Sequence, residues 1–471
     1  MANADIGLIG LGTMGSNLAL NIAEKGHRIA VFNRTASRTD DFVAHAGELA
    51  DRVVPTKSIA DLVAAITPPR PIILMVQAGK AVDEQIALLK PVLAERDIVI
   101  DAGNANFHDT VRRDRELAGS GLVFIGMGVS GGEEGARHGP SIMVGGPRDA
   151  YPRVEPVLTA ISAKYKGEPC SAWLGEGGAG HFVKTIHNGI EYADMQMIAE
   201  VYGLLRDGLG MAPKAMADIF ATWNKGRLNS YLIEITAEVL RADDPQTKKP
   251  VVEIILDRAG QKGTGRWSVI EAQSLGIPAT AIEAAVAARV ISGLKDERLA
   301  AEKAYGSTNH IVPDRLLVPA LELALLAGKI AAYAQGFAVM AGASKEFGWN
   351  LPLATIARIW RAGCIIRSQF LDTIAAAFAG STSAPNLLME PAFIEMMKEA
   401  HPALRSVVAK AAEAGLPIPA LSSALAYFDG YRQGRGTSSL IQAQRDFFGA
   451  HGFERVDAEG AHHGPWGAKS E

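Results

Sequence analysis

The feature that most constrains the fold of this chain is a change of rhythm near residue 178. Before it, six short β-rich runs, "DIGLIG", "RIAVFN", "PIILMV", "DIVIDAG", "LVFIGM" and "SIMVGG", alternate with helical patterns such as "AVDEQIALLKPVLA". Near-continuous apolar strands separated by helices predict a parallel sheet covered on both faces, a doubly wound α/β domain. From residue 179 the alternation stops. Ala- and Leu-rich helical spacing takes over, as in "AIEAAVAARVISGLKDERLAAEKAYG" and "SALAYFDGYRQGRGTSSLIQAQRDFFGA". The chain then ends in "HGFERVDAEGAHHGPWGAKSE", polar, Gly-rich and aperiodic, which reads as a tail that stays mobile or is ordered by a partner. The most hydrophobic segment, "LLVPALELALLAGKIAAYAQGFAVMAGA", is interrupted by Glu322, Lys329 and Gln335, and is expected to be a buried helix and not a membrane span.

The first strand runs straight into a phosphate-binding pattern. "DIGLIGLGTMG" sets Gly10, Gly12 and Gly15 in a GxGxxG spacing, with Leu11, Thr13 and Met14 between them, after a strand and at the start of a helix. The first glycine allows the tight turn, the second lets a pyrophosphate approach the backbone, and the third lets helix and strand pack closely. The alternative is a glycine-rich turn without a ligand. A Rossmann-type dinucleotide-binding domain over residues 1–178 follows. The second strand ends in Asn33, Arg34 and Thr35, where an NAD site offers a carboxylate to the ribose hydroxyls. A guanidinium at that place attracts a 2′-phosphate, so NADP is the favoured dinucleotide unless Arg34 is only a solvated loop residue.

"GAGHFVKTIHNGIEYADMQ", at 178–196, is the second chemical segment. At helical spacing Lys184, His187, Asn188 and Glu191 fall on one face, with Phe182, Ile186, Ile190 and Ala193 on the other. A lone amphipathic helix of this kind is usually a solvated face carrying a salt bridge, so the rest of the sequence must decide. The formal net charge of −4 gives no overall reason to expect a nucleic-acid or anionic-membrane partner, and anion binding must come from a local site. Two cysteines, Cys170 and Cys364, are too few for a disulfide framework, and no secretory signal opens the chain, so a cytoplasmic setting is expected.

Taken in order, "GLGTMG", "DAGNANFHDT", "GVSGGEEGARHGPS", "GAGHFVKTIHNGIEYADMQ", "LDRAGQKGTGRWS", "ARVISGLKDER", "WRAGCIIRS" and "QRDFFGAHGFERVD" resemble the 6-phosphogluconate dehydrogenases along nearly the whole chain. Shorter 3-hydroxyacid dehydrogenases share the glycine loop, the SGG turn and a catalytic lysine, but lack the QKGTG and QRDFFGAH segments. The resemblance implies oxidative decarboxylation of 6-phospho-D-gluconate to D-ribulose 5-phosphate with reduction of NADP. It also implies a homodimer, with an all-helical substrate and dimerisation domain over 179–440 and a tail over 441–471 reaching into the partner subunit. A non-decarboxylating NAD(P)-dependent 3-hydroxyacid dehydrogenase is the alternative, disfavoured because its substrates need no phosphate cluster.

Residue by residue, the resemblance makes Lys184 the base and Glu191 the acid. The cofactor would meet Gly10, Leu11, Gly12, Thr13, Met14, Gly15, Asn33, Arg34, Thr35, Val76, Gln77, Ala78 and Asn104. The substrate would meet Asn104, Ser130, Gly131, Gly132, His187, Asn188, Tyr192, Lys262 and Arg289, with Arg445 and His451 coming from the partner. Chemistry independently asks for such a set. Oxidising a secondary alcohol needs a base for the hydroxyl proton, and Lys184 suits it if nearby cations and partial desolvation make it neutral. Decarboxylation of the resulting 3-keto acid needs no metal, and an acid must then protonate the enediol carbon, which asks Glu191 for a raised pKa. Gln77, Phe107 and His138 depart from the family pattern, the last two expected to be peripheral. Glu133 and Glu134 in the SGG turn are read as structural and not as metal ligands, and His462 and His463 in the tail resemble a metal-binding tract only weakly.

Overall fold

All six β-rich runs form strands of one sheet. In chain order the strands are β1 (Ile6–Ile9), β2 (Ile29–Phe32), β3 (Val53–Pro55), β4 (Pro71–Leu74), β5 (Ile98–Asp101), β6 (Val123–Ser130), β7 (Ser141–Gly145) and, after a small β8–β9 hairpin (Lys164–Tyr165 and Glu168–Pro169), β10 (Ser171–Gly175). The computed structural model describes residues 4–307, 318–380 and 386–466. The sheet order is β10-β7-β6-β5-β4-β1-β2-β3. β1 pairs with β2 on one side and β4 on the other, so the strand order reverses beside it, the place where open α/β sheets bind ligands. Apolar clusters cover both faces, one around Leu18, Ile22 and Val31, the other around Leu62, Leu89 and Phe124.

The sheet is not wholly parallel, which corrects the expectation from sequence. β6 and β7 are antiparallel, and β10 then follows β7 in parallel. The connection between β6 and β7, residues 131–140, carries only the helix Gly132–His138. It is shorter than the roughly dozen residues a parallel crossover needs, so the chain doubles back. Two strands escaped the sequence reading: β3 and β10, short strands at the two edges of the sheet.

The helix Ala179–Gly203 runs across this sheet with its backbone almost touching it. A Cβ on Gly180 would stand 2.5 Å from the Gly126 carbonyl oxygen and 2.6 Å from the Gly145 nitrogen, and one on Gly128 would stand 2.5 Å from Lys184 Cβ. Only glycines allow that approach. The same helix packs on Val318–Glu346, long and apolar enough by composition to cross a membrane but with most of its length buried in this unit. Lys329, fully buried in it, donates to both carboxylate oxygens of the equally buried Asp194 at 2.6 Å. The charge that interrupted the apolar run is therefore paired. Farther along, Glu200 accepts the Ala420 and Leu421 N–H groups at 2.8 and 2.9 Å, capping the start of the helix Pro419–Tyr431. Burial pushes its carboxyl up to about 7.

The chain forms two compact units, Met1–Leu425 and Ala426–Glu471. The second contains the helix Ser438–Gly449 and a two-stranded hairpin of Phe453–Glu454 with Ala461–His462. Buried Asp446 organises it. Its carboxylate accepts from Gly452 N, His463 Nδ1, Gly464 N and Trp466 Nε1, at 2.5 to 2.9 Å. The sequence read this segment as a tail that stays mobile or is ordered by a partner; four donors inside this unit hold its described part.

Candidate active site

Two groups of residues meet the ends of the strands, and the first is a dinucleotide cradle. Gly10 has φ +105°, and a Cβ there would strike the Met75 carbonyl oxygen; a Cβ on Gly15 would strike the Gly10 carbonyl oxygen. Both glycines are required by packing. Gly12 differs: it caps the helix Thr13–Glu24, and a Cβ on it would meet nothing within 4 Å. Its side is open at a helix N-terminus, where N–H groups and the helix dipole favour a phosphate. Asn33 fixes the loop, accepting Leu11 N–H at 3.0 Å and donating to Thr35 O at 3.1 Å. Leu11 is therefore buried while Thr13 and Met14 open the helix.

A cavity of about 440 Å³ lies against this loop, walled by Gly10, Gly12, Asn33, Arg34, Thr35, Val76 and Gln77 together with Arg38. Arg34 is exposed there and Arg38 adds a second guanidinium. Sequence reasoning passed over Arg38, which lies in the first turn of the helix Ala36–His45 and lines the same cavity as Arg34 in the loop before it. Ala78 follows Gln77 in the same loop. The residues fit a dinucleotide phosphate on the open glycine, with a 2′-phosphate facing the arginines.

The second group is the polar face of the Ala179–Gly203 helix, and it is not a solvated face. Lys184 is 6 % exposed, His187 fully buried and Glu191 17 % exposed. Lys184 Nζ donates to Asn188 Oδ1 at 2.8 Å, and Asn188 Nδ2 donates to Glu191 Oε2 at 3.0 Å. Burial lowers the Lys184 pKa, while Glu191 and Cys364 pull it up. Of the two causes expected from the sequence, desolvation does the lowering, and the charges that act on Lys184 here oppose it. Burial raises the Glu191 carboxyl, opposed by Lys184, Arg289 and the Asn188 hydrogen bond. Both groups are pushed toward their neutral forms.

His187 is driven well below its ordinary value by burial and then by Lys184, so its ring is neutral. Its Nε2 lies 3.3 Å from Ser130 Oγ, and its Nδ1, buried without a hydrogen-bond partner, stands 3.7 Å from Glu191 Oε2. Ser130 ends β6, and Gly131 and Gly132 follow with φ +109° and +62°. Gly131 abuts the Gly363 carbonyl oxygen, which brings the "WRAGC" segment and buried Cys364 beside Lys184. No local pattern in the sequence marked Cys364 as a neighbour of the lysine. Tyr192 is buried; the Arg289 guanidinium stacks 3.9 Å from its ring centroid, and Gly265 lies against the ring.

Several expected residues sit outside this contact network. Asn104 and Lys262 are exposed, one just after β5 and the other just before the helix Thr264–Ser274. Arg445 and His451 belong to the second unit, where Arg445 Nη1 bonds Gln442 Oε1 at 3.1 Å and His451 lies edge-on to Phe448. His138 is exposed, and Phe107 is buried against Phe182, Phe347 and Trp349 with ring centroids 5.1 to 5.7 Å apart.

A nucleotide cradle at one end of the sheet and a buried lysine–glutamate face beside it invite comparison with known proteins. Residues 5–175 match the NAD binding domain of 6-phosphogluconate dehydrogenase, and residues 180–466 match the C-terminal domain of 6-phosphogluconate dehydrogenase. The chain belongs to the 6-phosphogluconate dehydrogenase family. It is 49 % identical to the NADP(+)-dependent, decarboxylating 6-phosphogluconate dehydrogenase of Bacillus subtilis, covering 99 % of this chain and 100 % of that one. It is 47 % identical to the NAD(+)-dependent, decarboxylating 6-phosphogluconate dehydrogenase of the same organism, covering 98 % and 99 %. Among solved structures it is similar to Plasmodium falciparum 6-phosphogluconate dehydrogenase, described in its apo form, with its cofactor NADP+ and with its substrate 6-phosphogluconate. That match has a TM-score of 0.94 and 42 % identity, over 98 % of this chain and 100 % of the other. The family thus includes enzymes named for each dinucleotide, which gives Arg34 and Arg38 particular weight.

Proposed function

We infer that this protein carries out the family reaction, oxidising and decarboxylating 6-phospho-D-gluconate to D-ribulose 5-phosphate and CO2 while NADP is reduced to NADPH. The observation that carries the mechanism is the burial of Lys184 and Glu191 on one helix face, 2.8 and 3.0 Å from the two ends of the Asn188 amide, with pKa values moved in opposite directions.

Neutral Lys184 accepts the proton of the substrate's C3 hydroxyl as the C3 hydride departs. NADP, when bound, supplies the hydride acceptor. The C1–C2 bond of the 3-keto acid then breaks, CO2 leaves, and the electron pair flows to the C3 oxygen, where the Lys184 ammonium donates its proton to form the enediol. Protonated Glu191 delivers a proton to C2, the carbon that becomes C1 of the product, and the C3 oxygen returns its proton to Lys184 as the ketone forms. A proton passing from Lys184 to Glu191 resets the pair. Asn188 holds the two chains at fixed spacing, and neutral His187, with Ser130, offers hydrogen bonds to the sugar acid without adding a charge that would disturb the lysine.

Arg34 and Arg38 suit a 2′-phosphate, with Asn33 setting the loop and Gly12 open to the pyrophosphate. Lys262 and Arg289 suit the substrate phosphate. Arg445 and His451 would complete the site of a second copy. Exposed apolar side chains at Met195 and Val239, which line one groove, and at Ile254 and Ile255, which line another, support such a homodimer, because grouped apolar side chains favour a partner over water. Buried free thiols at Cys170 and Cys364 suit a reducing compartment such as the cytoplasm. Incubation with 6-phosphogluconate and NADP should release NADPH and CO2 in equal amounts; NADPH formation without CO2 would leave a simple hydroxyacid dehydrogenase instead.

A further inference from the structure

One buried cation outside this chemistry ties together the end of the cofactor loop, the helix that follows it and the end of the strand before the substrate loop. Arg113, on the helix Phe107–Leu117, has a side chain only 1 % exposed. Its guanidinium has three partners. Nη2 donates to the Gly79 carbonyl oxygen at 2.9 Å, Nε to Asp83 Oδ1 at 2.7 Å, and Nη1 to Asp101 Oδ2 at 3.1 Å. Each partner controls a different piece of backbone. Gly79 closes the loop carrying Val76, Gln77 and Ala78, with φ +90° in a region that other residues rarely adopt. Asp83 lies in the first turn of the helix that this loop starts, Lys80–Leu89. Asp101, fully buried at the end of β5, uses its other oxygen to accept the Gly103 N–H at 3.0 Å, one residue before Asn104.

The two loops also touch directly. A Cβ on Gly103 would lie 3.3 Å from both Asp101 Oδ1 and the Val76 carbonyl oxygen, so the Asn104 loop rests against the Val76 backbone. We propose that Arg113 is a positioning residue that locks the Val76–Ala78 loop and the Asn104 loop into one register, so that the cofactor and substrate sites are preformed together and both ligands bind to ready-made loops. This rests on the placement of NADP at Val76–Ala78 and of substrate at Asn104 given above. Asp83 takes part from outside: its carboxyl is held below the usual range first by the Arg113 hydrogen bond, which keeps it ionised to orient the guanidinium. A planar fork with three separate donors suits this role, and a lysine ammonium on a flexible stem does not.

Arg113→Lys keeps a charge beside Asp101 and so preserves the pairing that folding needs, but gives up the fork. Its KM for NADP and its KM for 6-phosphogluconate should rise together, each by about tenfold, with kcat within about twofold of the parent and an unchanged thermal midpoint. Asp83→Ala, which removes only the half-exposed partner, should raise the same two constants by about threefold. Arg112→Gln, on the neighbouring arginine that shares Asp83, should leave both unchanged. A rise confined to one KM, or lost thermal stability with both constants intact, would show Arg113 to be an ordinary core ion pair. If Arg113→Lys does not fold, unchanged constants in Asp83→Ala overturn the proposal by themselves. Should the reading of the activity be at fault, the parent enzyme would form no NADPH from 6-phosphogluconate, an outcome distinct from any of these.

Discussion

At the scale of single residues, the proposed catalytic face depends on keeping water from it. Lys184 and Glu191 approach neutrality through desolvation, and their mutual attraction and hydrogen bonding act against the shifts. The sign of the pH dependence follows. Activity requires Lys184 unprotonated, so kcat/KM should rise with pH through a limb below the ordinary lysine value of 10.5. It also requires Glu191 protonated, so it should fall through a limb above the ordinary carboxyl value of 4.5. Glu191→Gln should lower the rate and abolish the falling limb while retaining the rising one; a falling limb that survives in the pH–rate profile would belong to another group. At the cofactor, Arg34→Ala should weaken NADP by about 10- to 100-fold, the loss of one charge-assisted hydrogen bond, and NAD hardly at all. Equal loss for both dinucleotides in steady-state assays would remove Arg34 from the phosphate.

At the scale of elements, the sequence announced what was repeated or periodic and hid what depends on a single tertiary contact. The six apolar runs were legible as strands because sheet burial demands them; β3 and β10 were not, because these edge strands, "VVP" and "SAWLG", are too short or too mixed to form an apolar run. The glycine spacing and the i, i+3, i+4, i+7 face exposed the cradle and the catalytic strip. Arg38, Arg113 and Cys364 stayed hidden, since nothing local distinguishes them from any arginine or cysteine until the chain is folded. Asp446 is a comparable case: one carboxylate gathers four donors and turns an apparently formless tail into a hairpin. The Asp194–Lys329 pair carries a prediction at this scale. Lys329→Met leaves a buried carboxylate unpaired and should cost about 3–5 kcal/mol, whereas pairing it with Asp194→Leu should recover most of that loss. Denaturant unfolding of both variants decides, and equal destabilisation of single and double mutants would mean the cavity matters more than the charge.

At the scale of the whole molecule, the proposed exchange of tails makes a specific statement about which chain owns which part of a site. A Lys184→Ala subunit has an intact tail, and an Arg445→Ala subunit has an intact lysine. Neither should be active alone. After dissociation and reassembly together they should regain roughly a quarter of parental activity, because half of randomly paired dimers are hybrids and each hybrid has one complete site. Recovery of nothing, with mixed dimers verified by mass, would place Arg445 in its own subunit's site, and activity of the Arg445→Ala protein alone would place it in none. The glycine contacts between the Ala179–Gly203 helix and the sheet have a different consequence. Because main chain rests on main chain at Gly180, the lysine's location is set by the backbone and by the few glycines that permit the approach. The surrounding side chains can therefore drift, or the Asn33–Thr35 loop be rewritten for another dinucleotide, without the base losing its aim. The cofactor preference of this scaffold is open to redesign in a way its proton chemistry is not.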